Sequence, residues 1–241
     1  LSDWYFWAMQ TVTFPETKAD KESNAVPLIR LITRFIFVWF MKQKGLIPDD
    51  LFDHKKIDDL LVAPDKRDKT GSTYYKAILQ NLFFATLNTD MGDGRKFVED
   101  IPAFQGRSHG YQIHSFCRYK RFFSKPQAFL KLTSGIPFLN GGLFACLDEE
   151  NALVDGFSTR PVNEGKVSVP DDLFWKGATS VDLSAITGNA SQTRVQVLGL
   201  VEILKRYNFT VDESSKNDEV VALDPELLGR VFENLLASYN P

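Results

Sequence analysis

Apolar residues recur at spacings of three and four near both ends of the chain and lose that period between them. From Leu28 to Met41, Ile29, Ile32, Ile36, Phe37, Phe40 and Met41 hold one helical face while Leu31, Phe35, Val38 and Trp39 fill the others, which predicts an enclosed helix. Ser23 or Asn24 can cap it, Gly45 stops it and Pro48 follows. Before it, the aromatic run Trp4, Tyr5, Phe6 and Trp7 predicts a short helix over 3–10 that ends at Phe14-Pro15, with core burial as its ordinary use. After it, Pro48 and two aspartates open a further helical stretch carrying Leu51, Ile57, Leu60 and Leu61. The polar block 63–71 is a loop, and Ser72 or Thr73 can start a helix whose stripe is Tyr75, Ile78, Leu79, Leu82, Phe83 and Leu87.

Beyond Asn88, glycines and prolines interrupt every periodic run. IHSFCRYKRFF fits a strand or a short helix equally well, and the glycine pair at 141–142 reads as a turn between short apolar flanks. Helical period returns from Val195 through Tyr207, a small hairpin fits FTVDE and EVVAL, and Asp224-Pro225 starts a last helix faced by Leu227, Leu228, Val231, Phe232, Leu235 and Leu236. The expected fold is mainly α, with an irregular middle region over about 89–194 and small β-hairpin elements. Absence of a repeat or a low-complexity linker favours one unit over residues 1–241.

Composition narrows the class: 241 residues with 44% hydrophobic and 24% charged side chains are globular values. The 14 residues from Leu28 to Met41, interrupted by Arg30 and Arg34, are too few to span a bilayer. No secretory or transit leader is visible, although the start at Leu1 and the end at Pro241 are those expected of an excised piece. Cys117, Cys146 and three histidines make neither a disulfide framework nor a conventional zinc cluster, which favours a reducing, cytoplasmic setting.

The net charge of -3 offers no global attraction to a polyanion, yet it is unevenly distributed. Residues 101–147 hold 6 basic and no acidic side chains, whereas 148–241 hold 8 basic and 16 acidic ones. Arg107, Arg118, Lys120, Arg121, Lys125 and Lys131, interleaved with Tyr111, Phe116, Tyr119, Phe122 and Phe123, have the composition of a phosphate-contacting surface. The same cations could equally serve solubility, and the aromatics the core.

Catalytic signatures are missing from the sequence. No Asn/Asp-Pro-Pro-aromatic tetrapeptide, Walker A loop or glycine-rich cofactor turn occurs. The pairs Asp49-Asp50, Asp58-Asp59 and Asp171-Asp172 lie at helix starts or turns, where carboxylates stabilise free amides. His109 and His114 flank Tyr111 near Cys117 without the spacing of a zinc site. No catalytic, cofactor or metal residue is therefore assigned.

The blocks LSDWYFWAMQTVTFP, RLITRFIFVWFMKQKGLIPDDLF, YYKAILQNLFFATLN, FLNGGLFACLD, GLVEILKRYNFTVDE and ALDPELLGRVFENLLASYNP carry a resemblance across nearly the whole chain. In order and content they resemble the region just upstream of the catalytic domain in large bacterial restriction-modification enzymes, the fused Type IIG-like proteins and related adenine-specific DNA methyltransferases, including those of phage-exclusion systems. The resemblance implies a supporting helical domain, not a complete Rossmann-like methyltransferase domain. In such proteins a Gly-aromatic-Thr-Pro signature follows the Asp224-Pro225 helix and opens the catalytic domain. S-adenosylmethionine would then belong to the downstream domain and Mg2+ to any nuclease module upstream. Double-stranded DNA and the adjoining methyltransferase domain are the implied partners, with residues 24–88 and 195–239 as scaffold. The competing expectation is a structural or protein-interaction scaffold with no direct DNA contact.

Overall fold

The computed structural model describes residues 1–15, 24–90, 94–104, 113–139, 142–150 and 152–206. Arg107, His109 and Tyr111, the expected hairpin over 209–223 and the expected last helix after Asp224-Pro225 lie outside the described residues. Within them the chain is mainly helical with a two-stranded antiparallel sheet, and it lacks the extended parallel sheet of a Rossmann-like domain.

Helix α1, Ser2–Thr11, turns Trp4, Trp7, Ala8 and Met9 into the core. Its indole anchor is explicit: Trp4 Nε1 donates to the Leu173 carbonyl at 2.7 Å, joining the first helix to a segment 169 residues later. Helix α2, Ala25–Gln43, buries Leu28, Leu31, Ile32, Phe35, Val38 and Trp39 among others, so it is enclosed on most sides as its composition predicts. Each such fully buried large side chain contributes about 1.5–3 kcal/mol. Pro27 fits the first turn, where no amide donor is required. Asn24 stands at the cap position, but its side chain works backwards. Its Oδ1 accepts from the Phe14 amide at 3.1 Å and its Nδ2 donates to the Val12 carbonyl at 3.1 Å, pinning the exit of α1 to the entry of α2.

The stretch after Pro48 divides in two. Asp49–Phe52 is a 3-10 turn, and Asp53 then caps α3, His54–Leu60, by accepting from the Lys55 and Lys56 amides. A helix over 73–87 follows, with wide π turns at Tyr74–Gln80 and Phe83–Leu87. A single apolar stripe was the expectation there; instead every residue from 73 to 87 is buried, because other segments wrap all faces of this central helix. Its start is capped neither by Ser72 nor by Thr73. The Asp171 carboxylate accepts from the Tyr74 amide at 2.9 Å, while the Ser72 hydroxyl accepts from the Val169 amide at 2.8 Å. Arg95 serves the other end, donating to the carbonyls of Ala85, Thr86, Thr133 and Ile136, where a cation complements the helix dipole.

The middle region is irregular, as expected. IHSFCRYKRFF is neither one strand nor one helix: isolated bridges pair Cys117 with Phe97 and Phe123 with Leu61, separated by a 3-10 turn at Lys120–Phe122. Helix α4, Pro126–Thr133, packs against α3. Farther on lie α5, Asp172–Trp175, strand β1, Thr179–Val181, and α6, Ser184–Thr187. Val195–Val197 forms strand β2, antiparallel to β1 with Ser180 opposite Gln196. Among the described residues, the helical period expected from Val195 is thus realised in α7, Leu200–Leu204. A single hydrophobic cluster runs from Trp4 through α2 and the central helix to Leu204. None of the helices of the described residues is long and apolar enough to cross a membrane.

Candidate functional site

The acid-free segment is the strongest chemical asymmetry in the sequence, and folding redistributes its cations. Arg118 is 0% exposed and donates to the carbonyls of Phe157 and Ile113, with its guanidinium 4.6 Å from the centre of the Phe157 ring. Reading this residue as a phosphate contact is corrected by its burial: backbone oxygens and an aromatic face, not solvent, surround its charge. Lys120 pairs with Asp100 and Arg121 with Glu164, while Arg121 also lies over the Phe122 ring at 4.6 Å. Acidic groups distant in sequence thereby offset both charges. Lys125 and Lys131, at the start and in the last turn of α4, are exposed and make no ion pair among the described residues. Of the aromatics interleaved with them, Tyr119, Phe122 and Phe123 are buried in the core.

Beneath this surface lies a polar hub built on the central helix. Asn81 Nδ2 donates to the Arg118 carbonyl at 2.8 Å and its Oδ1 accepts from the Arg118 amide at 2.7 Å. Gln80 donates to the Asp155 carbonyl at 2.8 Å and accepts from the Tyr119 hydroxyl at 3.0 Å. Tyr119 adopts a left-handed backbone with φ 62, uncommon for an aromatic residue and held here by these bonds. Lys76 reaches Asp68 at 2.8 Å and the Glu164 carbonyl at 3.0 Å. Burial alone would raise the Asp68 pKa, but bonds from Lys76 and Thr70 and the Lys76 charge outweigh it and hold the carboxyl below its usual value.

The loop after Cys146 closes around two carboxylates. Asp148 Oδ1 accepts from the amides of Val154, Asp155 and Gly156, and Oδ2 from Phe157, all at 2.7–2.9 Å. Asp155 accepts from Arg34 and from the Leu147 amide, each at 2.8 Å. Arg34, expected only as an interruption of a greasy run, also binds the carbonyls of Leu143 and Ala145, so α2 clamps both sides of this loop. Burial, and then the Arg118 charge, lower the His114 pKa. Burial pushes the Cys117 thiol up to about 12 and, with Asp148 and Asp155 adding to it, raises Cys146 further.

None of this makes a nucleophile with its base, and a cleft beside Tyr119, Arg121, Ser158 and Glu164 has room for only about one water. Sequence reasoning placed His114 with Cys117, its neighbour in the chain; the fold turns Cys117 into the core and brings Cys146 and Asp148 to His114 instead. No spacing rule links residues 32 positions apart, as His114 and Cys146 are, so the sequence carries no signal for that grouping.

Over 226 residues, the chain is 25% identical to a Methanocaldococcus jannaschii protein that bears the provisional name of a type II restriction enzyme and methyltransferase. The chain is a distant relative of a restriction-modification protein. The match takes in 91% of this chain and 12% of that relative, so most of the larger protein has no counterpart here. No family model matches the chain, and no solved structure matches it.

Proposed function

We propose that this chain is a supporting helical domain of a restriction-modification enzyme whose remaining part transfers a methyl group from S-adenosylmethionine to adenine in DNA. One observation carries the reading: a match over 91% of the chain falls within 12% of a relative named for restriction and methylation. The mainly helical architecture and the hydrogen-bonded polar hub support a structural role. Mg2+ enters the same reading only through a nuclease module elsewhere in the enzyme.

Within it, DNA phosphates are contacted by Lys125 and Lys131, whose exposed charges no described carboxylate offsets. A second reading, a scaffold without DNA contact, is favoured by the burial of Arg118 and the pairing of Lys120 and Arg121. DNA binding by the intact enzyme across a salt series separates the two. Lys125→Glu with Lys131→Glu should weaken binding to all duplex sequences and flatten the salt dependence. Unchanged affinity and slope would leave the scaffold reading. The parent reaction is tested by methyl transfer from labelled S-adenosylmethionine to adenine-containing duplex, and no incorporation would overturn it.

A further inference from the structure

We propose that His114, Cys146 and Asp148 form a binding site for a single divalent metal ion of zinc type, which clips two segments of the irregular middle region together. Their donor atoms, an imidazole nitrogen, a thiol sulfur and a carboxylate oxygen, all lie within 4.8 Å of one another. This mixed set suits zinc, which binds nitrogen, sulfur and oxygen donors without a geometric demand from d electrons.

Independent features of each donor point the same way. His114 Nε2 is buried and has no hydrogen-bond partner among the described residues, although buried polar atoms are nearly always paired. Asp148 is fixed before any ion arrives, because four backbone amides hold its carboxylate. Oδ1 accepts three of those bonds, whereas Oδ2 accepts one and keeps a lone pair for a cation. Amides aimed at a ligating carboxylate are the outer-sphere support that metal sites use. Cys146 is held on both sides: Arg34 Nη2 donates to the Ala145 carbonyl, and the Leu147 amide donates to Asp155, each at 2.8 Å.

Binding forms one bond from the metal to each donor and releases the Cys146 thiol proton to solvent. A thiolate and a carboxylate then balance the dication, and the neutral imidazole completes three protein ligands. A fourth position is left for water. The consequence is mechanical: His114 precedes the Cys117–Phe123 segment that wraps the central helix, and Cys146 and Asp148 open the loop clamped by Arg34.

Cobalt(II) added to the metal-stripped full chain is the direct probe. One equivalent should bind with a thiolate-to-cobalt charge-transfer absorption that zinc displaces. The band should disappear in Cys146→Ser and persist in Cys117→Ser. Zinc should also raise the thermal unfolding midpoint of the unmodified chain, and that rise should be lost in His114→Gln, which serves as the second arm if Cys146→Ser does not fold. Absence of cobalt binding by the unmodified chain, or a charge-transfer band that survives Cys146→Ser, would overturn the site.

Discussion

Asn81 and Arg118 bond to each other as two strands would, the Asn81 amide side chain giving one hydrogen bond to the Arg118 carbonyl and taking one from its N–H, at 2.8 and 2.7 Å. A side chain on the central helix thus stands in for a missing backbone neighbour. It satisfies a buried segment that belongs to no sheet, and the left-handed turn at Tyr119 follows directly. Replacing Asn81 by Leu strands both backbone groups of Arg118. We expect a loss of roughly 2–5 kcal/mol in urea unfolding, from two unpaired buried groups. Asn81→Asp, which keeps the acceptor and forfeits the donor, should also destabilise. A Leu variant within about 0.5 kcal/mol of the parent would show that the bonds are not needed.

Arg34 ties α2 to the 143–155 loop through one carboxylate and two carbonyls while lying 5.0 Å from the Phe84 ring centre. Arg34→Ala leaves Asp155 buried with its charge uncompensated and should cost about 3–5 kcal/mol in chemical denaturation. Adding Asp155→Asn removes the orphaned charge and should recover part of that loss, so the two effects should fall short of additivity.

Asp171 supplies a pH dependence with a definite sign. Burial raises its carboxyl from 3.8 to about 7, and the Tyr74 amide, the Arg67 charge and the Thr73 amide only partly counter it, while Asp68 adds to the rise. The folded chain therefore holds a proton that the unfolded chain has released between those values. The stability this contributes is complete below 3.8 and lost as the pH rises through about 7. Asp171→Asn keeps an acceptor for the Tyr74 amide and should flatten the thermal midpoint over that interval. An unchanged slope would assign the dependence to other groups.

Gly199 sits where α5 and α7 meet. A Cβ there would lie 2.5 Å from the carbonyl carbon and oxygen of Phe174, backbone atoms that cannot rotate away. Gly199→Ala should lower stability by about 1–3 kcal/mol, the cost of forcing packed segments apart. Because the Gly199 amide also donates to the Lys176 carbonyl at 2.7 Å, amide exchange there should accelerate with the displacement.

The sequence by itself determined the mainly helical class, the enclosed α2 and the short aromatic α1, since helical spacing and local stop signals such as Gly45 act within a few residues. It also determined that the centre would be irregular, because glycines and prolines break any period. Tertiary structure decided what each polar residue does. Asn24 looked like a helix cap and became a cross-link; Asp171 looked like a turn residue and became the cap of a helix 97 positions earlier. Arg118, Lys120 and Arg121 form a basic run in the chain, yet one is buried and the other two are paired with Asp100 and Glu164. Periodicity reports which face is apolar, and linear charge reports only neighbours in sequence. Which carboxylate meets which cation, and which thiol meets His114, depends on long-range closure of the chain around the central helix, a contact map that local spacing does not encode.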